Sequence, residues 1–286
     1  MATVDIAVPH RITRTADAAP ALTTRKPKRR RLGPGRPIPF GIAIGPALLI
    51  AAWIAGSASG ALDAETLPAP WTVAQTARQL ISDGTLQSNL LTSVQRAGLG
   101  LALGVGIGLV AALLAGLSRV GEALLDGPIQ IKRAIPTLAL IPLFIVWFGI
   151  GEQMKLIVIV TSVAIPVYLN THAHLRGIDG RYVELAETVG LSRWSFIRRI
   201  ALPGALPGFF LGLRLAVTIA WLALVVVEQV NATSGIGYLM TQARTYGQID
   251  VIVVGLVIYG LLGLFGDIAV RAVERRALSW RQTLGD

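Results

Sequence analysis

Apolar positions along this chain fall into six long blocks rather than the short alternating runs of strands. The blocks are Phe40–Ala61, Leu86–Leu117, Pro128–Phe148, Leu156 to about His174, Gly204 to about Val230 and Ile249–Val270. A helix needs roughly 20 apolar residues to cross a bilayer, so the pattern predicts an all-α integral membrane protein with about six transmembrane helices. The second block exceeds one crossing and is expected to tilt or protrude. Gly100, Gly104, Gly108, Ala112 and Gly116 recur along it at steps of four, which draws a small-residue face for close helix packing. Between the first two blocks, Trp71, Ala74, Ala77, Leu80 and Ile81 follow helical spacing within Leu67–Gly84, predicting an amphipathic surface helix broken at Asp83-Gly84. Arg119–Asp126 reads as a short polar link and Gly149–Gln153 as a tight turn. Asn231–Gln248 reads as a loop turning at Ser234–Gly237. Pro136 and Pro142 should kink the third span, and Pro166 the fourth.

One stretch between spans four and five breaks the apolar pattern. Arg176–Pro203 has a soluble-like charge content, and within it Tyr182–Val189 reads as a short helix. Glu184 and Glu187 suit its early turns, and Gly190 stands where a helix favours a left-handed terminating residue. Ser192 can cap a second short helix over Arg193–Ile200, which Pro203 is expected to stop. A helix-turn-helix unit held between two spans has the shape of a docking element.

Composition narrows the class further. Of 286 residues, 53% are apolar and 15% charged, unlike a soluble domain. The net charge of +10 is explained by basic segments beside a membrane, with no nucleic acid partner implied. Nine of the Lys and Arg residues precede Phe40, including Arg25–Arg31, so residues 1–39 read as a basic disordered tail able to contact anionic lipid. The six-helix transmembrane body is then 40–275, and 276–286 a C-terminal tail. Tail, link, docking loop and C-terminus together carry nineteen Lys and Arg, against three (Arg78, Lys155 and Arg244) on the other side. That asymmetry places both termini and the docking loop in the cytoplasm.

Candidate chemistry is sparse. Cysteine is absent and the three histidines are scattered, so no metal site or cofactor is expected. No Walker A, HExxH or G-x-S-x-G pattern occurs, so no catalytic residue is assigned. Ionisable residues within spans are costly and face the bundle interior or water. Arg96, Arg214 and Glu228 are therefore candidates for a translocation path, with mutual pairing as the alternative. Lys132 and Arg133 are expected to snorkel to the inner surface, and Asp267 to pair with Arg271 four residues on.

The docking loop carries a specific resemblance. Glu184-Leu185-Ala186, three residues, Gly190, nine residues, Ile200, one residue, Leu202-Pro203 resembles the EAA signature of the membrane subunits of bacterial ABC importers, with Leu185 in place of the alanine at its second position. The flanking segments IPLFIVWFGIGE (Ile141–Glu152), PVYLNT (Pro166–Thr171) and SGIGYL (Ser234–Leu239) are similar to the aliphatic sulfonate permeases, with taurine and nitrate permeases close by. The resemblance covers roughly Leu67–Trp280. It implies the type I importer permease fold, with the loop as a cytoplasmic coupling helix on which Glu184, Ala186, Gly190, Arg193, Ile200, Leu202 and Pro203 serve ATPase coupling. It also implies two cytoplasmic ATP-binding subunits, a second permease copy as a homodimer, and an extracytoplasmic substrate-binding protein. The expected cargo is a small anion, first an aliphatic sulfonate, then taurine or nitrate. A stand-alone secondary transporter would instead need coupling residues in the spans and a repeat, and none is visible.

Overall fold

The structure, a computed structural model, describes residues 41–63 and 65–280; the basic tail and the last six residues lie outside these. All regular secondary structure among the described residues is helical, with no strand among them. In chain order the helices are α1 (Gly41–Ala58), α2 (Pro70–Ser82), α3 (Thr85–Leu117), α4 (Arg119–Ala134), α5 (Ile141–Phe148), α6 (Glu152–Arg176), α7 (Gly180–Thr188), α8 (Arg193–Phe196), α9 (Leu202–Asn231), α10 (Ile236–Thr245) and α11 (Ile249–Ala277). Four continuous helical segments are long and apolar enough to cross a bilayer: Thr85–Leu117, Glu152–Arg176, Arg193–Val230 and Ile249–Ala277. The bent pair of α4 with Thr137–Phe148 makes a fifth, and Ala43–Ala58 is a shorter apolar helix.

From Leu49 onward the chain groups into one unit, and α6 is its axis. Met154, Val158, Ile159, Val163 and Val167 on α6 are fully buried, where α6 packs along α3 on one side and α9 on the other. The expected small-residue stripe of α3 is the face that makes this possible. A Cβ at Gly104 would stand 2.7 Å from Val163 Cβ and 2.9 Å from the Val160 carbonyl oxygen, so the helices touch backbone to side chain. A Gly104→Leu protein should therefore lose packing by about 1–3 kcal/mol or more. Gly106, two residues away, has open space around it. Gly106→Leu should leave the monodisperse fraction in detergent size-exclusion chromatography unchanged, while Gly104→Leu lowers it. Equal behaviour of the two would refute the packing role of the stripe.

Four segments differ from the sequence expectation, each for a local reason. Arg119–Asp126 is not a link but the first half of α4. Ser118 caps it, its Oγ accepting from the Gly121 N–H at 3.3 Å, and Glu122 lies in the first turn, where the dipole favours an acid. The third span is not a kinked rod: α4 and Thr137–Phe148 meet at 89°. Ile135, preceding Pro136, is extended (φ −96°, ψ 117°), as a residue before proline prefers. Pro142 causes no kink because it falls in the first turn of α5, where its missing N–H is not needed. Pro203 likewise falls in the first turn of α9, after a π turn at Ile197–Ala201 in which the Leu202 N–H reaches back to the Ile197 carbonyl. The second helix of the docking loop thus runs on into span five. Finally, Asn231–Gln248 contains α10, whose Ile236, Leu239, Met240 and Ala243 are buried in the core.

Candidate functional site

The docking loop folds as its residues direct. Asp179 caps α7, accepting from the Arg181 backbone N–H at 3.0 Å, and the Arg181 guanidinium holds the Asp179 carboxyl below its usual range. At the other end of α7, Gly190 adopts φ +69°. The Leu191 N–H then reaches the Ala186 carbonyl at 2.8 Å and the Gly190 N–H the Glu187 carbonyl at 3.0 Å. This pair of bonds is the Schellman motif, which satisfies the last carbonyls of the helix. Ser192 accepts from the Ser195 N–H at 3.3 Å and so starts α8.

The seven residues expected to serve coupling are not equivalent in space. Ala186 is buried and Gly190 shapes the turn. Arg193 donates to the Leu117 carbonyl at 2.9 Å, tying the loop to the end of α3. Ile200, Leu202 and Pro203 belong to the π turn and first turn of α9. Glu184 is exposed. Around it Tyr182, Leu185, Val189 and Trp194 are large and exposed on α7, its C-cap and α8, a concentration of exposed apolar surface in one loop.

At the opposite ends of the spans lies a buried charged cluster. Glu228 of α9 is 1% exposed. Its Oε1 accepts from Arg96 Nη1 at 2.8 Å, and its Oε2 accepts from the Gly237 N–H and the Tyr259 hydroxyl, each at 2.9 Å. The Ser93 hydroxyl donates to this carboxylate and accepts from the Ile236 N–H at 2.9 Å. Arg96 also grips Glu152 with Nε and Nη2, each at 2.6 Å. Its remaining N–H groups go to the Ser234 carbonyl at 2.6 Å and the Ser234 hydroxyl at 3.2 Å. Lys155 completes the charge balance on Glu152 at 2.9 Å. Two cations thus meet two carboxylates, and the first residues of α10 are pinned to α3, α6, α9 and α11.

This geometry bears on the three translocation candidates. Arg96 has five N–H donors, and all five are engaged, so an arriving anion would have to displace a carboxylate. Arg214, partly exposed on α9, donates to Asp267 at 3.3 Å, and Asp267 also forms the expected pair with Arg271 at 2.6 Å. Sequence reading singled out Arg96 and Glu228 but not Ser93, Glu152, Lys155 or Tyr259. The available signal was Ser93 lying three residues before Arg96, on the same helix face.

Lys132 departs from expectation. Because α4 begins at Arg119, it climbs alongside α6 before the break. Glu122 pairs with Arg176 at 2.7 Å, and Asp126 accepts from the Tyr168 hydroxyl at 3.2 Å. Lys132 then donates to Thr137 Oγ1 across the break, beside a cavity of about 350 Å³ that it shares with Ser162–Asn170 of α6 and Leu215–Ala223 of α9. Those residues are the middles of their helices, so Lys132 lies well inside rather than at the inner surface.

Residues 104–279 match the model of the family described as binding-protein-dependent transport system inner membrane component. The chain is 39% identical over 259 residues, 91% of this chain and 92% of its relative, to the putative aliphatic sulfonates transport permease protein SsuC of Bacillus subtilis (strain 168). It is 41% identical over 235 residues to the SsuC of Escherichia coli (strain K12), covering 82% of this chain and 89% of the relative. It is 32% identical over 198 residues to the taurine transport system permease protein TauC of the same organism, covering 69% and 72%. In fold it is similar to the crystal structure of an amino acid ABC transporter with histidines, at a TM-score of 0.56 and 18% identity, over 72% of this chain and 97% of that one. An all-helical bundle, an EAA-type loop between its fourth and fifth spans, and a family match over most of the chain converge: this protein belongs to the inner membrane components of binding-protein-dependent transport systems.

Proposed function

We propose that the chain is the membrane-spanning subunit of an ATP-driven importer for aliphatic sulfonates. The observation that carries this is the likeness to two SsuC permeases over most of both chains, at 39% and 41% identity. The lower identity to TauC, 32%, makes taurine the second reading.

In this proposal two cytoplasmic ATP-binding subunits seat on α7 and α8, through Tyr182, Leu185, Val189 and Trp194 around Glu184. Gly190 and Arg193 hold the shape of that surface, while Ile200, Leu202 and Pro203 join it to span five. The nineteen-to-three distribution of Lys and Arg supports both termini and this loop on the cytoplasmic side. An extracytoplasmic binding protein delivers substrate at the end that holds the Arg96–Glu228 cluster. A second copy of the permease covers the face on which Leu138, Leu215 and Leu222 are exposed.

The test is growth on a panel of sole sulfur sources after deletion of the gene. Loss of growth on alkanesulfonates, restored by the parent gene, supports the proposal. Loss on taurine alone would transfer it to the second reading, and growth on every sulfonate would overturn it.

A further inference from the structure

Of the three ionisable span residues expected on a translocation path, Arg96 and Glu228 are saturated by partners within the chain and Arg214 is charge-paired with a carboxylate. Arg96 donates all five N–H groups, and Arg214 pairs with Asp267. Lys132 is different. Among the described residues no carboxylate lies within 4 Å of its ammonium, and its one hydrogen bond goes to a neutral hydroxyl, Thr137 Oγ1. An ammonium has three donors, so two point elsewhere.

The lining of the adjoining cavity is specific in its chemistry. It contains Lys132 and Arg133, the hydroxyls of Thr137 and Ser162, the Asn170 amide, and no Asp or Glu. The other wall is apolar, made of Leu215–Ala223 on α9 and Leu169 on α6. A cation with spare donors, flanked by neutral polar groups and faced by hydrocarbon, complements a small amphiphilic anion. The cavity's ~350 Å³ is within the size range of small-molecule sites. Carboxylates that could cancel the charge lie further along α4. Asp126 is six residues before Lys132 and is engaged by Tyr168, and Glu122 is engaged by Arg176.

Placement supports the same conclusion. The cavity sits against the break at Ile135–Pro136 and against mid-helix α6, where Pro166 lies within the span. Irregular backbone at membrane depth persists where it lines a cavity or is buried in protein. Arg133 is the more exposed of the two cations; Lys132 is held in place by its bond to Thr137.

We propose that Lys132 is the anion-binding residue of the translocation pathway, taking the sulfonate headgroup while the alkyl chain lies against Leu215–Ala223 of α9. This rests on the reading of the chain as a sulfonate importer. Binding there has to be weak, because conduction requires the cargo to leave as readily as it enters. Charge at the site should therefore govern rate at saturation more than apparent affinity, which the external binding protein sets.

The experiment uses the whole importer in proteoliposomes with its binding protein and ethanesulfonate as the probe. Lys132→Met, close in length but uncharged, should lower the maximal uptake rate by about tenfold, ~1.4 kcal/mol in barrier. The half-saturating concentration of loaded binding protein and the ATP hydrolysis it stimulates should stay near the parent values. Lys132→Arg should restore most of the rate, a rescue that a packing role does not produce. A Lys132→Met importer within twofold of the parent would overturn the proposal, as would Lys132→Arg failing alongside Lys132→Met with both complexes intact. If the parent importer itself carries no alkanesulfonate, the substrate reading fails instead, and the two failures are told apart in one assay.

Discussion

Glu228→Ala should be the most damaging single substitution in the bundle, leaving little intact permease after detergent extraction. The carboxylate is the one acceptor shared by Arg96, Ser93, Tyr259 and the Gly237 N–H. Removing it strands four buried donors from three helices, α3, α10 and α11, at once. Breaking a buried ion pair by deleting one partner costs about 3–5 kcal/mol; Glu152 still holds Arg96, which favours the lower end. Glu228→Gln is the sharper test. Oε1 faces a guanidinium and Oε2 faces an N–H and a hydroxyl donor, so a glutamine must aim its NH2 at one of these sets. A loss of about 1–3 kcal/mol is expected despite the matched shape. The reading is thermal stability in detergent, followed by the fraction of protein remaining monodisperse. A Glu228→Gln protein as stable as the parent would show that the two oxygens are not both needed. Glycine is required next to the acid for the same reason: Gly235 has φ +116°, and a Cβ there would collide with the carboxylate.

The second large effect is expected where stability should barely change. Gly190→Asp places a side chain at φ +69° with nothing within 4 Å of its Cβ. The left-handed region costs a non-glycine residue roughly 1–2 kcal/mol, and Asp is among the residues that tolerate it best. The Schellman bonds use backbone atoms only, so α7 and its turn should survive. What changes is the exposed surface: a carboxylate now projects beside Leu185, Val189 and Trp194. If the ATP-binding subunit seats there, the amount of permease in the membrane stays within about twofold while transport falls at least tenfold, ~1.4 kcal/mol or more of lost coupling. ATP hydrolysis continues without uptake. Transport at the parent rate would remove the loop from the coupling role proposed for it.

Much of this architecture was legible because it rests on short-range rules. Apolar block lengths located the spans, the four-residue glycine step identified the face of α3 that meets α6, and Gly190 with Ser192 marked the turn and cap of the docking loop. The misreadings share a different cause. Arg119–Asp126 looked like a link because its charges are spread over a helix whose polar side finds partners only in space, Arg176 for Glu122 and Tyr168 for Asp126. Pro203 looked like a stop because a proline inside a helix usually is one, and a preceding π turn leaves no signature in residue type. The Arg96 cluster joins residues from Ser93 to Tyr259, and no spacing rule reaches that far. The apolar face of α10 was hidden by a segment rich in turn-forming residues.

The uninterrupted course of Arg193–Val230 has a mechanical consequence. At 1.5 Å per residue, 38 residues make a rod about 57 Å long, rooted in the docking loop at one end and in Glu228 at the other. Such a strut cannot be displaced at Trp194 without leverage on the Arg96 lock, unless it yields along its length. Its regular hydrogen bonding is interrupted by the π turn at Ile197–Ala201 and by Pro207 inside α9, both towards the loop end. The stiffness of that stretch therefore determines whether a push on the loop is absorbed locally or delivered to the far side of the membrane.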